Sequence, residues 1–255
     1  MRFVVWNCRM GLVKKRHLLY ELGPDVAVVA ECSRDSMKVC QGDGFQTCWW
    51  GHNKNKGLGV VATKPWTLEP GRSPRQKWIA PVWVHGPQDF LLVAVWASAI
   101  GTRREMNYVG QTYEALIRHA NWFSGGLPVV LGGDLNSNSS LDPGRKIRKH
   151  RTVVELLGKR DIVSAYHSYF REEHGAETRP TYYFWHREER QFHLDYIFLP
   201  RSWMERVTDL RVGAFQTWRA ASDHMPVWVD MVDFNPPVDC AFAGHNSIDN
   251  DAVSR

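Results

Sequence analysis

No apolar run in this 255-residue chain approaches the roughly 20 residues that a membrane-spanning helix needs, so a helical membrane protein is excluded. The opening segment Met1-Arg2-Phe3-Val4-Val5-Trp6 enters a strand pattern at once and lacks the hydrophobic stretch of a secretory signal. Cysteine is scarce. Five residues, an odd number at scattered positions, do not make a disulfide framework. No Cys-x-x-Cys pair accompanies Cys32, Cys40 and Cys48, which argues against a cysteine zinc site. Cys8 and Cys32 lie in apolar surroundings and read as small core residues. A reducing cytoplasm is the expected compartment. Internal repeats and any sign of a second domain are also missing.

Hydrophobic residues at 44% and charged residues at 23% are ordinary for a globular protein, and the length suits one large α/β domain. A net charge of +5 leaves both a polyanionic partner and a merely basic surface open. Phe3 to Trp6, Val26 to Ala30, Gly59 to Ala62, Trp78 to Val84 and Phe90 to Ala97 read as strands. Pro128 to Leu131, Thr181 to Trp185, His193 to Leu199 and Pro226 to Val232 complete the strand pattern. Lys14 to Leu22 reads as a helix stopped by Gly23 and Pro24, and Val153 to Leu157 is also expected to be helical. Asn107 to Phe123 carries the apolar spacing of an amphipathic helix. Long strands with few intervening helices imply an α/β sandwich of two packed sheets with helices outside, rather than one doubly wound sheet. The domain is expected over residues 1–232. Asn235-Pro236-Pro237 opens a polar tail, residues 233–255, expected to be disordered.

Polar motifs recur where apolar runs end: Trp6-Asn7-Cys8, Ala30-Glu31-Cys32, Gly132-Gly133-Asp134-Leu135-Asn136 and Ser222-Asp223-His224-Met225-Pro226. Asp134 and Asn136, two residues apart, can point to one side of an extended segment. There the carboxylate can take a proton from an attacking water while the amide orients that water or a phosphate oxygen. Alone, the motif favours a turn, because Gly, Asp and Asn are turn formers. Asp223-His224 alone reads as a surface turn before Pro226, although histidine can donate to a phosphate or move a proton. Glu31 closes an apolar strand, an awkward place for a carboxylate unless exposed or metal-bound. Asp195, between Leu194 and Tyr196, must face a polar site or a partner such as histidine. Oxygen donors of this kind suit a hard cation, Mg²⁺ or Mn²⁺.

The order Asn7, Glu31, Asp134 with Asn136, Asp195, and Asp223 with His224 resembles the endonuclease/exonuclease/phosphatase superfamily from about Arg2 to Val232. Within it the chain looks most like exonuclease III and apurinic/apyrimidinic endonucleases. The resemblance implies a four-layer α/β sandwich, two mixed β-sheets flanked by helices, and Mg²⁺-dependent phosphoester hydrolysis. Glu31 would be the principal metal ligand, with Asn7 and Asp223 assisting. Asp134 would activate water and Asn136 would hold it, while Asp195 would orient His224 to stabilise the transition state. Two positions depart from the pattern. Arg9 stands where many relatives carry an Asp, and Trp96 where relatives place a catalytic His or Tyr. Indole has one donor and no acid function, so Trp96 reads as core packing, and either the role is absent or Tyr108 or His119 fills it from elsewhere.

Arg103, Arg148 and Lys149 lie in basic prospective loops and Arg9 in the first motif, where they can follow a phosphate backbone. Trp185 belongs to the aromatic run Tyr182 to His186, similar to the nucleic-acid-contacting segment of exonuclease III-like enzymes. Solvated charge and core packing are the plain alternatives. The reading is a monomeric Mg²⁺-dependent DNA nuclease. A small-molecule or lipid-headgroup phosphatase and a catalytically weak nucleic-acid-binding module are its rivals.

Overall fold

The computed structural model describes residues 1–71, 78–99, 108–142, 144 and 148–232. Arg103 and the expected tail, residues 233–255, lie outside the described residues. The strands are β1 (Arg2–Asn7), β2 (Val26–Cys32), β3 (Gln46–Asn53), β4 (Lys56–Ala62), β5 (Thr67–Pro70), β6 (Ile79–His85) and β7 (Phe90–Trp96). They continue with β8 (Val129–Asp134), β9 (Ile162–Ser164), β10 (Tyr182–Tyr183), β11 (Gln191–Phe192), β12 (Asp195–Pro200), β13 (Val207–Val212) and β14 (Val227–Met231). The helices are α1 (Leu12–Glu21), α2 (Arg34–Gly42), α3 (Val109–Arg118), α4 (His150–Gly158), α5 (Ala165–Phe170) and α6 (Phe215–Trp218).

Two six-stranded sheets form, in the orders β13-β14-β1-β2-β4-β3 and β5-β6-β7-β8-β12-β9. Both are mixed: β1 with β2 and β7 with β8 run parallel, and the remaining neighbours are antiparallel. Alternation along each strand builds the layers. Phe3, Val5, Val28 and Ala30 join Phe90, Leu92 and Ala94 in the core between the sheets. The intervening Val4, Trp6, Ala27 and Val29 face the other way, with Leu12 and Leu19 of α1 and Met37 and Cys40 of α2. On the second sheet Leu91, Val93 and Val95 meet Leu116 of α3 and Val153 and Leu157 of α4. Strands covered on both faces explain the unbroken apolar runs of the sequence. The result is the expected four-layer sandwich.

Several elements differ from the sequence reading. The helix expected over Asn107 to Phe123 is α3 followed by a separate 3₁₀ turn, Ala120–Phe123, with His119 at φ −114° between them. Asn107 lies outside the described residues. The strand expected over Thr181 to Trp185 is reduced to Tyr182–Tyr183, because Trp185 and His186 take positive φ in a 3₁₀ turn. Helix α2 reads as polar, yet Ser33 caps it by accepting from Ser36 N at 3.0 Å, and Met37 and Cys40 bury its inner face. Edge strands β3, β5 and β13 carry mixed, partly exposed residues and give no run of apolar residues to read. No helix among the described residues is long and apolar enough to cross a membrane.

The topology brings the motifs to one edge. Asn7 ends β1, Glu31 lies next to the end of β2, Trp96 ends β7 and Asp134 ends β8. Antiparallel β12 starts at Asp195 directly opposite Asp134, and antiparallel β14 enters beside β1 just after His224. Gly132 lets the two sheets approach here, and Gly133 lets β8 lie close against β7. A Cβ on Gly132 would come within 2.8 Å of the Phe3 ring, and one on Gly133, at φ +143°, within 1.8 Å of the Val95 carbonyl oxygen.

Candidate active site

Asp134 is fully buried, and three donors hold its carboxylate. Asn7 Nδ2 donates to Oδ2 at 2.8 Å, Asn136 Nδ2 to the same oxygen at 2.9 Å, and the Asn136 backbone N–H to Oδ1 at 2.8 Å. Asn136 adopts φ +46°, the left-handed conformation that asparagine tolerates, which turns both its amide and its backbone N–H onto Asp134. Its second amide proton goes to the Ala97 carbonyl at 2.7 Å. The pair expected to share work on a water is therefore asymmetric: Asn136 positions Asp134. Burial pushes Asp134 up to about 7, with the nearby Asp195 charge adding to the rise and His224 opposing it. A carboxyl group in that range can exchange a proton near neutral pH.

Asp195 and His224 form the second unit. His224 Nδ1 lies 2.8 Å from Asp195 Oδ2, and both side chains are buried. The same oxygen accepts the Thr181 hydroxyl at 2.7 Å, while Thr181 Oγ1 accepts the backbone N–H groups of Leu194 and Asp195 at 2.9 and 3.0 Å. Ser222 locks the histidine loop to β1, donating to the Asn7 carbonyl at 2.8 Å and accepting the His224 N–H at 3.0 Å. Burial disfavours a charged His224 ring, but the Asp195 and Asp134 carboxylates outweigh it and raise the group to about 10. The ring is thus an imidazolium at neutral pH, with Nε2 left to donate beyond the dyad. Tyr182 lies against it, ring centres 4.5 Å apart.

Glu31 sits at a bulge in the pairing of β2 with β4 and has φ +60°. A bulge redirects a side chain out of the pleat, and strained backbone of this kind recurs at functional sites. Lys56 Nζ lies 2.9 Å from Glu31 Oε2 and 5.1 Å from the Trp96 ring centre. Asp223 faces Arg9, whose Nε lies 3.5 Å from Asp223 Oδ2 and whose Nη1 also meets His186 Nε2. Asn7 Oδ1 accepts the Arg9 backbone N–H at 3.0 Å. Burial pushes the Tyr182 hydroxyl up to about 12, and the Asp223, Asp134 and Glu31 charges add to the effect.

Oxygen donors suit a hard divalent cation. Those expected here are Asn7, Glu31 and Asp223, of which Glu31 is paired with Lys56 and Asp223 with Arg9, and the buried Asp195 Oδ1 has no hydrogen-bond partner. Asp134, Asp195 and His224 also lie close, with side-chain atoms within 4.8 Å of one another, and with His224 charged this is an ion-paired cluster rather than a set of metal ligands.

Trp96 is core, as expected: it is buried and tilts against Trp78 with ring centres 5.1 Å apart. Of its suggested substitutes, His119 stacks on Trp122 at 4.6 Å, and Tyr108 is an exposed residue preceding α3. Arg148 is held by Glu114 through Nε at 2.9 Å and lies 5.9 Å from the Tyr113 ring centre, and Lys149 is half-buried at the start of α4. Trp185 is 64% exposed, stacks on Phe184 and is flanked by Arg187 and Arg190 at 5.8 and 5.5 Å. Sequence reasoning did not find Thr181 and Ser222 as positioning residues, since hydroxyls beside a loop carry no spacing signal.

The sequence profile described as the Endonuclease/Exonuclease/phosphatase family matches residues 4–224. No curated protein matches the chain by sequence. A solved 3′-5′ exonuclease, NExo from Neisseria meningitidis, superposes with a TM-score of 0.67 at 18% identity, covering 91% of this chain and 99% of its own. The 3′ phosphatase NExo from Neisseria bound to a product DNA hairpin gives 0.67 at 17%, with coverages of 91% and 99%. An AP endonuclease from Archaeoglobus fulgidus gives 0.66 at 15%, again covering 91% and 99%. At these identities the likeness is one of fold.

Proposed function

Because the chain belongs to the endonuclease/exonuclease/phosphatase family of metal-dependent phosphoester hydrolases, we propose that it is a Mg²⁺-dependent nuclease acting on DNA phosphodiester bonds. The observation that carries this reading is the meeting, at one edge of both sheets, of a triply held buried carboxylate and an Asp–His dyad. Glu31, Asn7 and Asp223 would hold the cation, and Mn²⁺ would serve in place of Mg²⁺. When bound, the ion supplies Lewis-acid stabilisation of charge on the phosphate.

The chain's own groups divide the remaining work. Asp134, held in position by Asn7 and Asn136, takes the proton of a water placed against the phosphorus. His224, charged and oriented by Asp195, donates from Nε2 to a phosphate oxygen as negative charge builds. Thr181 fixes the Asp195 carboxylate and so the ring. Trp185, with Arg187 and Arg190 beside it, offers a stacking face and positive charge for a strand, and Arg9, Arg103, Arg148 and Lys149 are assigned to backbone phosphates. The fold relative NExo, bound to a product DNA hairpin, supports a nucleic-acid substrate. The enzyme proposed is a monomer in a reducing cytoplasm, a compartment in which Cys8, Cys32, Cys40 and Cys48 stay free.

The test is an activity screen with Mg²⁺ or Mn²⁺ across plasmid, duplex, single-stranded and abasic DNA and small phosphoesters. Cation-dependent cleavage of DNA is expected. Hydrolysis that survives exhaustive EDTA treatment, or turnover confined to the small phosphoesters, rejects the proposal.

A further inference from the structure

A second group of titratable side chains lies outside the catalytic edge. It gathers His167 on α5, His174 and Glu177 in the following loop, His150 at the start of α4, and His193 just before β12. We propose that His167, His174 and Glu177 form a structural site for a borderline transition-metal cation of the zinc class, with His150 as the adjoining imidazole. Ligand atoms of the three residues lie within 4.8 Å of one another. Metal–nitrogen legs of about 2.0–2.1 Å arranged tetrahedrally place ligand atoms roughly 3.3 Å apart. The pairs found here are close to that edge: His167 Nε2 lies 3.0 Å from Glu177 Oε1, and His150 Nε2 lies 3.1 Å from His174 Nδ1. The His167 and His174 rings stack with centres 3.5 Å apart. Binding would turn His174, only half-buried, until its lone pair meets that of His167.

The surroundings carry the supports that metal ligands require. The far ring nitrogen of His167, Nδ1, meets Ser164 Oγ at 2.7 Å, and that of His150 meets Ser137 Oγ at 3.0 Å. Glu177 Oε2 accepts Asn138 Nδ2 at 2.9 Å, and Oε1 accepts the Gly175 N–H at 3.0 Å. Near the cluster, His193 is buried with Nε2 unpartnered. An imidazole–carboxylate set of this kind selects a different ion from the all-oxygen set at the catalytic edge. His174 also lines a cleft of about 420 Å³ with Arg151, Glu155, Glu172 and Glu173, a charged opening. The bound ion would staple the loop after α5 to the core. That loop leads to Thr181, the residue that fixes Asp195.

The test is titration of the metal-stripped full chain with Co²⁺ and then Zn²⁺, read by visible absorption and thermal melting. Wild type should show an intense tetrahedral Co²⁺ band saturating at about one equivalent, bleached by Zn²⁺, with a higher Tm. His174→Gln, at a half-buried position, and Glu177→Gln should each weaken the band's affinity at least about tenfold and abolish the Tm rise. Glu31→Gln should keep the band, so failure of the catalytic reading leaves this result intact. A wild type without a saturable tetrahedral band, or a folded His174→Gln whose band and Tm rise match wild type, overturns the site. If Glu177→Gln does not fold, His174→Gln decides.

Discussion

His224 Nδ1 and Asp195 Oδ2 lie 2.8 Å apart with both side chains buried, and the oxygen they share also accepts the Thr181 hydroxyl. One residue thus acts through another. His224→Ala and Asp134→Asn are each expected to lower turnover at least about 10²-fold with the fold intact, by removing charge stabilisation or water activation. Asp195→Asn combined with His224→Ala should cost far less than the two single losses multiplied. Independent, multiplicative defects in single-turnover kinetics would disprove the dyad. Thr181→Val should lower turnover less than Asp195→Asn and add nothing in the His224→Ala background.

Asp134 and His224 each contribute stability that falls with rising pH in metal-free protein. Asp134 rises from an ordinary 3.8 to about 7, so its proton binds the folded state more tightly. Its contribution is complete below the unfolded value and is lost as pH climbs through about 7. His224 rises from 6.5 to about 10, so its contribution holds below 6.5 and is lost on the way to about 10. His150 and His174, drawn down by burial to about 3, and His193, drawn down to about 4, contribute in the opposite sense below about pH 6.5, so the test is the difference between variant and wild type in chelator. Relative to wild type, Asp134→Asn should gain melting temperature as pH rises from about 4 to 7, and His224→Ala as it rises from about 6.5 to 10. A difference that stays flat across either window would contradict the shift assigned there.

Trp185 separates a nucleic-acid enzyme from a small-phosphoester one. Its exposure of 64% means that truncation should leave the melting temperature almost unchanged. Trp185→Ala should weaken single-stranded or nicked DNA binding by about tenfold, the loss of one stacking contact, while hydrolysis of a small phosphodiester stays constant. Lys149→Ala should lower the salt slope of DNA binding by about one charge. Equal losses on both substrates would move the aromatic turn into the catalytic machinery instead.

Gly133 tests the backbone. A methyl group there would sit 1.8 Å from the Val95 carbonyl oxygen at a φ of +143°. Gly133→Ala should therefore destabilise by at least about 2 kcal/mol, or leave the protein insoluble. Denaturant unfolding measures this, and a near-wild-type midpoint would mean that β7 and β8 separate more easily than their packing implies.

The layered architecture was legible in the sequence because two-sided burial writes itself as unbroken apolar runs. Phe3 to Trp6, Val26 to Ala30 and Phe90 to Ala97 each became strands with neighbours on both faces. Helix α2 and the edge strands β3, β5 and β13 were not legible, since a half-exposed element mixes residue types and owes its conformation to what it leans on. Trp185 could not be read as leaving a strand, because the aromatic run Tyr182 to Trp185 has β propensity while the chain reverses there.

The sequence by itself determined where polar groups end apolar runs, and there each motif alone reads as a turn or a strand end; only the order of Asn7, Glu31, Asp134 with Asn136, Asp195, and Asp223 with His224 singles them out as candidates for chemistry. Only the tertiary structure decided how they divide the work. Strand direction and register put Asp195 opposite Asp134, although 61 positions separate 134 from 195, and brought His224 in beside β1. The same packing turned Asn136 onto Asp134, gave Arg9 to Asp223 and Lys56 to Glu31, and gathered His150, His167 and His174 where no motif announced them. Residue type sets what a side chain is able to do, but hydrogen bonds and Coulomb interactions act over a few ångströms, and only the folded chain brings groups that close.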